Sequence, residues 1–357
     1  MKLPRRNFLH LVAGAAAVPA VSRIAKAQTF PSRPITMIVP FAAGGTLDLT
    51  ARIVGEHMSR ALAQQIVVEN IVGAGGTIGS TRAMRAPPDG YTLELGHMGT
   101  HAFAAALYPN LAYRPDVDFQ PIGQVSANPM LIVARKDLPP KDLREFISFV
   151  KANENKLNVS HAGVGSVFFT TCLLLNALLD VSPTFVPFNG GGPAMNALLG
   201  GQVDYMCADV FTSVSHLRAG AIKAFVIGTD ERHPILPDVP TSKEAGLPEF
   251  QVSAWNALFA PKGTPKPILD KLTDALDKAL DDENTRKRLL EFGSDIPGKA
   301  QRGQQPLAAL VKNELARWTP IIKAAKVKVE QAVYGVCIKG RRDDARDHEA
   351  LGNRLRV

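Results

Sequence analysis

The chain has 357 residues, with 41 Lys+Arg against 33 Asp+Glu and a formal net charge of +8. That length fits two domains of ordinary size. With 46% apolar and 21% charged residues, wholesale disorder is excluded, and after the first thirty residues no run of about 20 apolar residues is left to span a membrane as a helix. The basic excess lies at the ends. Residues 1–28 hold five basic residues and no acid, residues 332–357 hold six against four, and the body 29–331 holds thirty against twenty-nine. A body so close to neutral offers no footprint for nucleic acid.

In chain order, Lys2-Leu-Pro-Arg5-Arg6-Asn-Phe8-Leu9 is a charged leader start. Leu11 to Val21 is an apolar run, and Ala25-Lys26-Ala27 is a small-x-small cleavage signal. This predicts a secretory signal peptide over 1–27, cut near Ala27, and a soluble periplasmic product. Arg5-Arg6-x-Phe8-Leu9 resembles the twin-arginine export motif; Pro4 and His10 depart from it, so general secretion stays open as the route.

The body alternates strand and helix. Ile35–Val39 reads as a buried strand, Phe41–Thr46 as a loop, and Leu47–Leu62 as a helix with apolar Leu49, Ile53 and Met58. Strands follow at Gln65–Val68 and Tyr91–Leu95, separated by the glycine loop Gly73–Thr77 and a short helix. Further on, Met130–Ala134 is a strand, Leu143–Ala152 a helix, Leu157–Ser160 a strand, and an apolar helix runs to about Leu179. Thr184–Pro187 is a strand, Ala194–Leu199 a helix, and Val203–Cys207 and Ala224–Ile227 are strands. Thr241-Ser-Lys-Glu244 is a helix capping box, Thr264-Pro265 starts a helix carrying Ile268, Leu269, Leu272, Leu276 and Leu280, and Leu307–Trp318 is another. Such alternation predicts α/β layers built on a parallel sheet with helices on both faces.

Three strand-to-helix turns share one design: Ala43-Gly44-Gly45-Thr46, Gly163-Val-Gly165-Ser166 and Gly190-Gly191-Gly192-Pro193. Glycine permits a tight turn and close approach of a ligand to backbone N–H groups. The helix start behind each turn favours an anion, and in open α/β sheets such turns gather where ligands bind. A small carboxylate can therefore be held by amides alone, and the loops contain no Lys or Arg. The plainer reading is that these glycines only turn the chain. Asp48 either positions a ligand or complements a helix dipole. His97 and His101, in Gly96-His97-Met-Gly99-Thr100-His101, are expected to line a cleft and not to hold metal, since no acidic third ligand stands at suitable spacing.

Other motifs fall short. Gly293-Ser-Asp-Ile-Pro-Gly298-Lys299-Ala300 nearly matches a P-loop but lacks the final Ser/Thr and follows a helix. Cys172, Cys207 and Cys337 lack CxxC spacing, so zinc is not expected. Cys172 and Cys207 sit in apolar runs and are read as buried free thiols, with a bridge as the alternative an oxidising compartment allows.

In order along residues 30–330, several stretches resemble the substrate-binding proteins of tripartite tricarboxylate transporters, the Bug or TctC-like receptors. They begin with Arg33-Pro34-Ile35, Val39-Pro40-Phe41-Ala-Ala-Gly44-Gly45-Thr46-Leu-Asp48 and Gly73-Ala-Gly75-Gly76. Asp89-Gly90-Tyr91-Thr92, Val186-Pro187-Phe188-Asn-Gly190-Gly191-Gly192-Pro193-Ala194, Leu199-Gly200-Gly201-Gln202-Val203-Asp204 and Leu236-Pro237-Asp238-Val239-Pro240-Thr241 continue the likeness. The resemblance implies a type II periplasmic-binding-protein fold, two doubly wound α/β domains joined by a two-segment hinge. It implies capture of a small carboxylated solute for the membrane subunits of such a transporter, with no cofactor. It also places Ala43–Asp48, Gly163–Ser166, Asn189–Ala194 and Asp209 on the ligand. Where family members commonly carry a His three residues after the Gly-Ser of the second-domain loop, this chain has Phe169.

The organisation expected is domain 1 over 29–127 and 251–331, domain 2 over 128–250, and an extra tail, 332–357. The candidate ligand-binding set is Ala43, Gly44, Gly45, Thr46, Asp48, Gly99, Thr100, Gly163, Gly165, Ser166, Asn189, Gly190, Gly191, Pro193, Ala194 and Asp209, on a monomer without catalytic or metal-binding residues. The alternatives are an exported enzyme, for which Ser166 near His161 is the one candidate pair, and a sensor that reports its ligand to a signalling partner.

Overall fold

The computed structural model describes residues 30–324; the expected leader, its cleavage site and the tail lie outside the described residues. Strand β1 (Ile35–Val39) is buried along its length except at the half-buried Thr36. Helix α1 (Thr46–Leu62) packs Leu47, Ala51, Val54, Met58 and Leu62 inward at helical spacing. β2 (Ile66–Asn70), α2 (Thr77–Met84) and β3 (Thr92–His97) follow, and β1 pairs parallel with β2 and β3. A wide turn, Gly99–Phe103, runs into the short α3 (Ala104–Leu107).

Strand β4 (Phe119–Arg135) leads into a second lobe. That lobe holds α4 (Leu143–Asn153), β5 (Asn158–His161), α5 (Val167–Leu179), β6 (Thr184–Pro187), α6 (Gly191–Leu199), β7 (Tyr205–Asp209), α7 (Val210–Arg218) and β8 (Ile222–Ile227). β5 pairs parallel with β6 and β7. The chain returns through β9 (Ser253–Pro261) to α8 (Lys266–Asp281), α9 (Glu283–Glu291) and α10 (Gln304–Ala324). In the first lobe Trp318 of α10 packs edge-on to Phe103 with ring centroids 4.7 Å apart. Both rings are fully buried, a contact whose truncation costs about 3–5 kcal/mol.

The strands form one path, β2-β1-β3-β9-β4-β7-β5-β6, with β8 also on β4. The sheet is mixed, which corrects the expectation of a parallel one. β9 runs antiparallel to β3 and β4, and β4 antiparallel to β7 and β8. Sequence reading placed no strand at β9 and only Met130–Ala134 of β4. Pro121, Gly123 and Pro129 interrupt the strand pattern there, and the structure absorbs the first two through register shifts at Pro121/Gly123 and Gln124/Ser126. Phe119–Pro129 pair with β9 and Met130–Arg135 with β7 and β8, so β4 changes partners between Pro129 and Met130.

Two further corrections concern local chemistry. Thr241 and Glu244 make both capping-box bonds, Glu244 N–H to Thr241 Oγ1 at 3.1 Å and Thr241 N–H to Glu244 Oε2 at 2.8 Å, yet only a turn follows, because Gly246 leaves the helical region at φ +85°. Cys172 and Cys207 are joined in a disulfide with Cα atoms 5.4 Å apart. Fully buried α5 and β7 positions bring the thiols together, so the apolar surroundings that suggested free thiols instead bury a bridge.

Candidate functional site

The turns after β1, β5 and β6 and the end of β7 meet at one place between the lobes. There the helices α1, α5, α6 and α7 begin, with Gly45, Ser166, Gly190 and Asp209 as N-caps. The first N–H groups of each helix have no partner inside the helix. Gly44, Gly45 and Thr46 from the first lobe, and Ser166, Gly190, Gly191 and Asp209 from the second, line a single cavity of about 130 Å³. That is smaller than a drug-sized site of ~300–1,000 Å³ and suits one small molecule. Gly190 has φ +140°, a conformation that a side chain would strain.

The floor comes from the first lobe and the crossing strands. His97 on β3 is the register partner of Asn256 on β9, and Asn256 that of Ser126 on β4. Cross-strand partners share a face, so a polar row crosses three strands, with Asn128 two residues further along β4. Asn256 Nδ2 donates to Ser126 Oγ at 3.0 Å, and Ser294 Oγ donates to Asn128 Oδ1 at 2.6 Å. His97 Nδ1 accepts from Thr100 N–H at 3.2 Å, which leaves the proton on Nε2. Burial pushes the His97 imidazole down to about 4, so it is neutral at pH 7.

Charge in the lining is sparse. Among the described residues no Lys or Arg lines the cavity, and Asp209 is the one carboxylate. Burial raises the Asp209 pKa, against the hydrogen bonds it accepts. Those bonds are Thr212 N–H to Oδ1 at 2.7 Å and Thr46 Oγ1 to Oδ2 at 2.8 Å.

Behind the floor lies a buried network. Glu94 Oε1 accepts from Ser80 Oγ at 2.6 Å, and Thr100 Oγ1 lies 2.9 Å from His101 Nδ1. Glu94 Oε2 and His101 Nε2 face each other at 3.8 Å, and neither has a partner among the described residues. Burial pushes the Glu94 carboxyl up to about 8 and, with His97 nearby, holds His101 well below the usual imidazole range.

Of the residues singled out from sequence, Ala43, Gly44, Gly45, Thr46, Ser166, Gly190, Gly191, Pro193 and Asp209 line the cavity. Gly163 and Asn189 line an outer groove that adjoins it through Phe41, Ala42, Ala162 and Pro193. Five stand off the lining. Asp48 is turned inward: it accepts from Gly44 N–H at 2.9 Å and pairs with Arg52 through both oxygens. Burial raises its pKa, but the bonds from Arg52, Gly44 and Asn70 outweigh that and hold it low. The Gly44 amide expected to meet a ligand is therefore already engaged. Gly99 and Thr100 lie beneath His97, as the Thr100 bonds to His97 show. Gly165 faces the Tyr108 ring, and Ala194 is fully buried in the first turn of α6.

His97 reaches the cavity as expected, whereas His101 is wholly buried, stacked on Phe259 at 3.8 Å. Ser166 and His161 form no nucleophile–base pair: Ser166 Oγ accepts from Phe169 N–H at 3.2 Å. His161 sits against the Phe169 and Phe185 rings, with Nδ1 buried and unpartnered among the described residues. Lys299 of the P-loop-like stretch is bound to Asp277 and Asp281. Sequence reading missed Asn128, Thr212 and Asn256. An Asn inside the apolar run Ala254-Trp255-Asn256-Ala257-Leu258 was a readable signal, since a buried amide needs a reason.

The family model described as tripartite tricarboxylate transporter family receptor matches residues 50–327. The solved structure of MatC from Rhodopseudomonas palustris with bound malate is 52% identical, with TM-score 0.80, covering 82% of this chain and 100% of that one. The structure of the periplasmic binding protein BugD is 40% identical, with TM-score 0.80, over 84% of this chain and 99% of its own. The UPF0065 protein in the TAR-I ttuE-ttuC' intergenic region of Agrobacterium vitis is 42% identical over 303 residues, 85% of this chain and 87% of that protein.

Proposed function

The chain belongs to the tripartite tricarboxylate transporter receptor family, and from that membership we propose a periplasmic receptor that closes on a small carboxylate between its lobes and presents it to the membrane subunits of such a transporter. One observation carries the reading: four helix N-termini and the neutral donors His97 and Asn128 converge on a cavity of about 130 Å³. Helix starts favour anions without a basic side chain. Malate in MatC, at 52% identity, supports a four-carbon dicarboxylate as the size class.

The domain plan proposed is one lobe of 29–127 and 251–331 and another of 128–250, hinged at the β4 partner change and at the entry to β9. The receptor acts as a monomer and turns nothing over. Native mass spectrometry of freshly purified protein, followed by thermal shifts with an acid panel, tests the reading. A retained organic acid is expected. That acid at 100 times its dissociation constant should add about 2.7 kcal/mol of stability. No shift with any acid on ligand-stripped protein would overturn it.

A further inference from the structure

We propose that Asn128 and Asn256 together read a hydroxyl group on the ligand, so that the cavity prefers an α-hydroxy carboxylic acid to its deoxy counterpart. The inference rests on the carboxylate reading and names the chemistry of that same site. Both amides are tethered by fully buried serines. Ser126 Oγ takes the donor end of Asn256, which leaves Oδ1 as the free end. Ser294 Oγ bonds Asn128 Oδ1, which leaves Nδ2 as the free end. Asn256 is 4% and Asn128 1% exposed, and both line the cavity.

The floor therefore offers an acceptor and a donor close together, on neighbouring strands. A carboxylate can use only donors: the helix N–H groups, Asn128 Nδ2 and His97 Nε2. The Asn256 oxygen repels a carboxylate oxygen and needs a proton donor. A hydroxyl beside the carboxylate satisfies both amides, its O–H donating to Asn256 Oδ1 and its oxygen accepting from Asn128 Nδ2. An ammonium at that carbon could donate to Asn256 but has no lone pair for Asn128. A deoxy acid leaves the Asn256 oxygen buried without its partner, which corresponds to a preference of about 10- to 100-fold for the hydroxy acid.

Calorimetry on ligand-free protein with matched acids tests this: L-malate against succinate and L-aspartate, lactate against propionate, and citrate against tricarballylate. The hydroxy member of whichever set binds should be tighter by about tenfold or more. In Asn256→Ala that ratio should collapse toward one, through tighter binding of the deoxy acid, which no longer strands an amide oxygen, together with weaker binding of the hydroxy acid. Ser126→Ala, which frees the Asn256 amide to rotate, should narrow the ratio as well and serves if Asn256→Ala does not fold. Equal affinities in the wild type, tighter binding of aspartate than malate, or a ratio unchanged in the variants would overturn the hydroxyl inference while leaving the carboxylate reading standing. Binding of none of the seven acids would remove the carboxylate reading itself, and the inference with it.

Discussion

Thr46 Oγ1 donates a hydrogen bond to Asp209 Oδ2 over 2.8 Å, joining the first turn of α1 in one lobe to the N-cap of α7 in the other. The bond crosses the cavity wall, and Thr212 Oγ1 lies 3.2 Å from the same hydroxyl. Thr46→Val keeps the shape and removes the donor. A single hydrogen bond of this kind is worth about 1–2 kcal/mol, or about 5- to 30-fold in affinity. Ligand dissociation should quicken by that factor in stopped-flow traces, with little change in the association rate. An unchanged dissociation rate would show that the contact does not hold the lobes together.

The opposite side of the cleft is fastened at Tyr108, whose hydroxyl donates to Val164 O at 2.8 Å. Here the lobes meet so closely that only glycine fits at position 75. Gly75 has φ +62°, and a Cβ there would lie 2.1 Å from Val164 O and 3.2 Å from Gly165 Cα. Gly75→Ala should therefore block closure while each lobe stays folded. Calorimetry should show affinity lost by about 100-fold or more, and small-angle scattering should show no compaction with saturating ligand. Wild-type compaction in this variant would contradict the contact.

Glu94 gives the pH dependence a sign. Its native pKa of about 8 stands above its ordinary value of 4.5, so the native state keeps a proton that the unfolded chain loses. Stability due to this group falls as pH rises from about 4.5 to about 8. His97 and His101 act oppositely: they stay neutral in the fold, and the unfolded chain binds their protons below its value of 6.5, so stability falls as pH drops under that value. Between pH 6.5 and 8 the decline is left to Glu94, at about 2 kcal/mol in all. Glu94→Gln should flatten that stretch in thermal melts across pH. A slope identical to the wild type would mean that Glu94 is ionised in the fold.

The Cys172–Cys207 bridge closes a loop of 35 residues and ties α5, which starts at Ser166, to β7, which ends at Asp209. Loop-closure entropy for that length corresponds to about 3–4 kcal/mol. The double variant Cys172→Ser, Cys207→Ser should unfold at correspondingly lower urea concentration. It should also bind ligand more weakly, because two pieces of the cavity wall lose their common anchor. Identical urea midpoints would mean that the pair is reduced in solution.

Much of the architecture was readable because it is local. β1, α1, β6 and α8 follow from apolar spacing and start signals within a dozen residues, and the three glycine turns announce helix starts, whose dipoles favour anions. What escaped has a common cause. β9 and the first half of β4 are defined by their pairing, and no residue pattern along Phe119–Pro129 marks a strand. With those strands unseen, Asn128 and Asn256 had no floor to stand on. α7 and α9 were missed as well, although Asp209 and Asp282 cap them through bonds from Thr212 and Thr285.

By itself the sequence determined the kind of site this is: a ring of helix starts on an α/β frame, with no basic residue in its loops. Tertiary structure decided which groups face the cavity. It spent the Gly44 amide and Asp48 on bracing the first loop, withdrew Thr100 and His101 beneath the floor, and brought Asn128, Asn256 and Thr212 to the cavity from far apart in the chain. The physical reason is that turns and helix caps are satisfied by neighbours a few residues away, whereas the orientation of a buried amide or carboxylate is fixed by whichever partner the fold brings against it.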